Sequence, residues 1–137
     1  MRPVNEIIVH CSATKPTMNI GSEWIRRIHI HENKWRDIGY HYVIRRNGAI
    51  EDGRSIEKVG AHCNGHNTGT IGICMVGGIT ETGRPENNFT PEQFEAVQNL
   101  IYSLVTIHPT IKKLSGHNDY ANRACPCFNV HAKLKLA

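Results

Sequence analysis

The sequence predicts an α/β domain built on a single β-sheet. Two apolar runs, Ile7 to Val9 and Ile71 to Val76 (IGICMV), have the length and composition of buried strands. Between and after them lie segments whose apolar residues recur at helical spacing, and strands alternating with helices favour one sheet with helices packed on it.

The elements are expected in the following order. Glu6 to Cys11 forms the first strand. Gly21 and Ser22 interrupt the chain, and Ser22 is a helix cap by residue type. Trp24, Ile28, His31 and Trp35 then recur at spacings of four, three and four, the pattern of one helix face. Gly39 ends that helix, and Tyr40 to Arg45 reads as a second strand leading into an Asn47-Gly48 hairpin. A short return strand runs from Ile50 to about Gly53, and the Gly-, Asn- and His-rich stretch from Ala61 to Thr70 is a loop. After the Ile71 to Val76 strand, Thr90-Pro91-Glu92-Gln93 combines an N-cap, a proline at the first helical position and a capping box. Phe94, Val97, Ile101 and Leu104 follow on one face of a helix reaching about Ile107. Lys112 to Ser115 is a short edge strand, and a small helix begins near Asn129.

A chain of 137 residues suits one domain, taken as residues 1–137. Hydrophobic residues make up 39% and charged residues 20%, which excludes disordered and coiled-coil classes. The N-terminal apolar run is too short for a signal peptide, and no stretch has transmembrane length. The protein is therefore expected in the cytosol, without membrane insertion. A net charge of +4 arises from scattered basic residues, so nucleic-acid binding gains no support. Five cysteines, an odd count with no export signal, argue against a disulfide framework.

Nine histidines leave several candidates for chemistry. His29 and His31 lie two apart on a helix and cannot share a face. Tyr40 and His41 alternate on a strand, so at most one of them faces a site. His10 ends the first strand, where side chains enter a cleft, while Cys11 points to the other face. His117 and Cys125 are separated by NDYANRA, a polar stretch able to bring imidazole and thiolate together. With His10 they make three protein ligands, the number that leaves a fourth zinc position open, as catalytic sites require. The Cys125-Pro126-Cys127 triplet also admits a metal chelate, a redox pair, a disulfide or two packed thiols. A disulfide between cysteines two apart closes a strained ring.

VHCSATKP, GYHYVIRRNG, VGAHCNGHNTGTIGICMVGG and GHNDYANRACPCF, in that order from about Ile7 to Phe128, resemble the zinc-dependent type 2 N-acetylmuramoyl-L-alanine amidases. That family shares its fold with the peptidoglycan-recognition proteins. The resemblance implies a mixed central sheet flanked by α-helices. It also implies hydrolysis of the amide between the lactyl group of N-acetylmuramic acid and the L-alanine of the peptidoglycan stem peptide. By resemblance the zinc ligands are His10, His117 and Cys125. Cys127, in turn, is expected to pack behind Cys125. Tyr40 takes the position of the active-site tyrosine, His62 lines the cleft, and Asn67 and Thr70 lie on the same substrate-facing loop. Arg123 stands where close phage members carry lysine; arginine keeps the charge for an oxyanion but cannot pass a proton. IGICMVGG lacks the glutamate that some relatives use as general base. The expected partner is peptidoglycan and the expected state a monomer. Release to the wall comes at lysis or through a holin, or the substrate is a wall fragment in the cytosol. The alternative is a non-catalytic peptidoglycan-binding module, although non-catalytic relatives lose the ligand cysteine that is retained here as Cys125.

Overall fold

A computed structural model describes residues 1–137. Its strands are β1 (Glu6–Cys11), β2 (Tyr42–Ile44), β3 (Ile50–Asp52), β4 (Thr70–Met75) and β5 (Lys113–Gly116), and its helices α1 (Ser22–His31), α2 (Pro91–Ile107) and α3 (Val130–Lys133). The five strands form one sheet in the order β3-β2-β4-β1-β5. β1 pairs in parallel with both β4 and β5, β2 is parallel to β4, and only the β2–β3 hairpin is antiparallel. The sheet is mixed and flanked by helices, as the sequence resemblance implies.

Parallel strands covered on both faces read as continuous apolar runs, and β1 and β4 are buried at every position. Side chains alternate between two cores. Ile7, Val9 and Cys11 join Ile71, Ile73 and the α2 residues Val97, Ile101 and Leu104 on one face. Ile25 of α1 packs with Ile38, Val43 and Cys74 on the other. His10, opposite Cys74 in the register, belongs to this second face, and Cys11 points away from it.

α2 begins as its sequence predicts. Thr90 Oγ1 accepts the Gln93 N–H and Gln93 Oε1 accepts the Thr90 N–H, with Pro91 at the first helical position. α1 differs from expectation at both ends. Gly21, not Ser22, is its N-cap residue, and the Ser22 N–H donates to Glu51 Oε1 of β3 at 2.8 Å. The cap is therefore supplied from 29 residues away. The helix stops at His31, and Trp35 folds back so that its ring meets His29 edge-on at 4.7 Å. Ile25 is the one fully buried residue of α1, whereas His31 is exposed. β2 starts at Tyr42, two residues later than expected. Gly48 adopts φ +89° in the β2–β3 turn, a conformation that favours glycine.

Candidate metal centre and cleft

β1 and β5 run side by side, so the C-terminal ends of both open toward the same edge of the sheet. His10 is near the end of β1, and His117 begins the short 3-10 turn that follows β5. That turn is held by the Gly116 N–H donating to Asp119 Oδ2 at 2.8 Å. The chain then loops back to place Cys125 against β1, where the Cys11 N–H donates to Cys125 Sγ at 3.1 Å. His10 Nδ1 and His117 Nδ1 lie 3.2 Å apart. The donor atoms of His10, His117 and Cys125 all lie within 4.8 Å of one another. Burial, then the neighbouring His62 and His117, push the His10 pKa well below its ordinary value; burial, then Arg123, lower that of His117. Both shifts favour the neutral imidazole, the form able to ligate a metal.

A cleft of about 800 Å³ opens beside this cluster and reaches it at His117; Tyr40, His62, Asn67, Tyr120 and Arg123 also line it. No carboxylate lines it. The Tyr40 ring lies 5.2 Å from that of His10. Burial, followed by the thiols of Cys74, Cys125 and Cys11, pushes the Tyr40 phenol well above its usual range, so it remains a proton-bearing donor. The Arg123 side chain is exposed at the rim.

The other expected site residues divide by depth. Asn67 lines the cleft, and its Oδ1 accepts the N–H groups of His62 and Cys63, both at 2.9 Å, which pins the loop before β4. His62 is only 8% exposed, and its two ring nitrogens face His10 Nε2 at 2.8 Å and Thr70 Oγ1 at 3.1 Å. Thr70 is 3% exposed and is not brought to the cleft surface. It is the first residue of β4, and its hydroxyl is occupied by the carbonyls of His66 and Asn67. Cys127 packs against the α2-side core with Sγ directed at the Gly78 carbonyl.

Several cleft residues were given no role in the site by sequence reasoning. His29 lines the cleft while its Nδ1 accepts the Gly39 N–H at 2.9 Å. Tyr120 stacks on His66 at 3.9 Å and donates its O–H to the buried carboxylate of Glu6 at 2.5 Å. Ser115 donates to the same carboxylate oxygen at 2.6 Å. A glutamate inside an otherwise apolar strand was the available signal.

The family model described as N-acetylmuramoyl-L-alanine amidase matches residues 1–128. The chain belongs to that amidase family. Among similar proteins, the endolysin of Klebsiella phage KP32 is 46% identical over 92% of this chain and 82% of the relative. The endolysin of Escherichia phage T7 is 43% identical over 90% and 81%. Among solved structures, the N-acetylmuramoyl-L-alanine amidase LysC from Clostridium intestinale superposes with a TM-score of 0.80 at 28% identity, covering 98% of this chain and 88% of that one. Drosophila PGRP-LB does so with a TM-score of 0.75 at 26% identity, covering 92% and 76%. The amidase thus pairs family membership with a His/His/Cys cluster opening on a cleft.

Proposed function

We propose that this amidase is zinc-dependent and releases stem peptides from peptidoglycan by cleaving the amide between the lactyl group of N-acetylmuramic acid and L-alanine. The observation that carries the reading is the convergence of His10 Nδ1, His117 Nδ1 and Cys125 Sγ beside the cleft. Two neutral imidazoles and a thiolate suit zinc, and three protein ligands leave a position for water or substrate. Bound there, zinc would lower the pKa of water toward 7 and polarise the scissile carbonyl.

The chain's own groups supply the rest. Tyr40, protonated and beside His10, donates a hydrogen bond to the oxyanion as the carbonyl becomes tetrahedral. Arg123, across the cleft, adds a fixed positive charge. Loss of one such donor costs roughly 100- to 1,000-fold in rate. With no carboxylate in the cleft, Tyr40 acting through water is the route for delivering a proton to the leaving amine. Substrate lies along the wall formed by His62 and Asn67, where Asn67 keeps its Nδ2 donors for the peptide because Oδ1 is spent on the loop. Thr70 supports that wall from behind.

The family and the endolysins among its relatives support a phage-type enzyme that acts on the cell wall. We read it as one monomeric domain, 1–137, with no nucleic-acid partner and no membrane insertion. It reaches the wall at lysis or through a holin, or meets wall fragments in the cytosol. No helix is long and apolar enough to cross a membrane. The test is appearance of new L-alanine amino termini from purified peptidoglycan, with chelator and with zinc restored. Release that chelation abolishes and zinc restores is expected. Zinc-loaded protein that sediments with the wall yet releases nothing would be a binding module instead.

A further inference from the structure

His62 does more than wall the cleft, because it uses both ring nitrogens behind His10. His10 turns Nδ1 toward His117, its neighbour in the cluster with Cys125, and its Nε2 lies 2.8 Å from His62 Nδ1. On the far side, His62 Nε2 lies 3.1 Å from Thr70 Oγ1. That hydroxyl is within 2.7 Å of the His66 carbonyl and 3.0 Å of the Asn67 carbonyl. Carbonyls only accept, so the Thr70 O–H must donate to them, and its oxygen then accepts from His62.

The direction of the whole chain follows from that one constraint. His62 carries its proton on Nε2, which makes its Nδ1 an acceptor. His10 must then carry its proton on Nε2, which leaves Nδ1 as a bare lone pair facing His117 and Cys125. Reversing the chain would take the Thr70 proton from both carbonyls and aim an N–H of His10 at the neighbouring imidazole. We propose that His62 is a positioning residue, which with Thr70 fixes the tautomer and ring orientation of His10 so that Nδ1 is offered to the metal.

The backbone is shaped to admit this ring. His62 meets His10 edge-on, with centroids 4.9 Å apart and planes at 90°. A Cβ on Gly72 of β4 would lie 2.5 Å from His62 Cγ, and one on Gly60 would lie 2.8 Å from His62 Cδ2. Glycine in the interior of a strand marks a close approach, and here the approaching group is the imidazole behind His10. Outer partners that orient a ligating histidine typically cost 10- to 100-fold in metal affinity or activity when removed.

The inference rests on His10, His117 and Cys125 being the zinc ligands, and the experiment separates the two. Zinc and Co2+ affinities are measured by chelator competition, and the Co2+ form is followed by its thiolate-to-cobalt absorption. Wild-type protein is expected to bind one ion with that absorption; its absence would remove the metal assignment itself. His62→Phe fills the space without an acceptor and is expected to weaken binding by about 10- to 100-fold, with a shifted cobalt spectrum. His62→Gln offers Oε1 to the His10 Nε2–H and is expected to recover most of the affinity. Wild-type affinity and spectrum in His62→Phe, or no recovery in His62→Gln, would overturn the proposal. Thr70→Val, which keeps the shape of threonine, decides the matter if His62→Phe does not fold. A several-fold loss supports the relay and unchanged affinity overturns it.

Discussion

Acidification should destabilise this fold through one histidine that is not among the proposed metal ligands. His41 is 1% exposed, its Nδ1 accepts the Gly72 N–H at 3.0 Å, and its Nε2–H donates to the Lys58 carbonyl at 2.8 Å. A second proton would take Nδ1 away from Gly72 with no acceptor nearby. Burial lowers the His41 pKa from 6.5 to about 4; the Lys58 carbonyl opposes this, while Arg2 and Arg54 add to it. The folded value lies below the unfolded one, so the unfolded chain takes up the proton first. The contribution of neutral His41 is complete above about pH 6.5, shrinks as the pH falls, and is exhausted near pH 4. Each pH unit within that interval is worth about 1.4 kcal/mol. From pH 7 to pH 5 the chain crosses about one and a half such units, a loss of about 2 kcal/mol. His41→Gln keeps an acceptor for Gly72 and a donor for Lys58 but does not titrate. Urea unfolding of both proteins at the two pH values isolates the histidine, since their other titrating groups are shared. Wild type should lose about 2 kcal/mol more than the variant. Equal losses would refute the assignment of a buried neutral imidazole.

The remaining expectations concern the site itself. Cys125→Ser removes a proposed ligand and should lower zinc affinity by more than the roughly 100-fold that an outer partner can cost. Cys127→Ser, whose thiol only packs and points at Gly78, should retain one zinc per chain, and equal zinc loss in both would show that the ligand register is misassigned. Arg123→Ala should slow turnover by about 100-fold or more with zinc content unchanged. Arg123→Lys keeps the charge and should stay within about tenfold of wild type by the same reasoning, and steady-state kinetics beside metal analysis would check both.

Local patterns in this chain were legible because local forces made them. The apolar runs of β1 and β4 are buried on both faces, so composition alone marks them. The Thr90 capping box satisfies its own donors within four residues, and it formed as read. α1 was misread at its start because Glu51, a residue of β3, does the work that a serine side chain was expected to do. Its end was misread because Trp35 continues the apolar period while packing on His29 from outside the helix.

The candidate site divides along the same line. Spacing made His10, His117 and Cys125 candidates, and only the resemblance of whole motifs singled them out, since the imidazoles that meet at 3.2 Å are 107 residues apart. What lies behind them was invisible for a further reason. His62 and Thr70 sit on a polar loop and at a strand end, places where sequence suggests contact with substrate or solvent. The burial of His62 depends on a glycine at position 72, within a strand that reads as continuously apolar. A glycine there passes for a weak strand residue until the side chain filling its missing Cβ is known. Glu6 makes the complementary case: a charge in a buried strand looks like a frayed end. Its carboxylate instead accepts the hydroxyls of Ser115 and Tyr120, joining the strand that carries His10 to the segment that carries His117. In both cases the residue that breaks the strand's apolar pattern is the one that ties the sheet to the site. Such breaks in β1 and β4 are therefore where this sequence marks the residues that stand behind its candidate site.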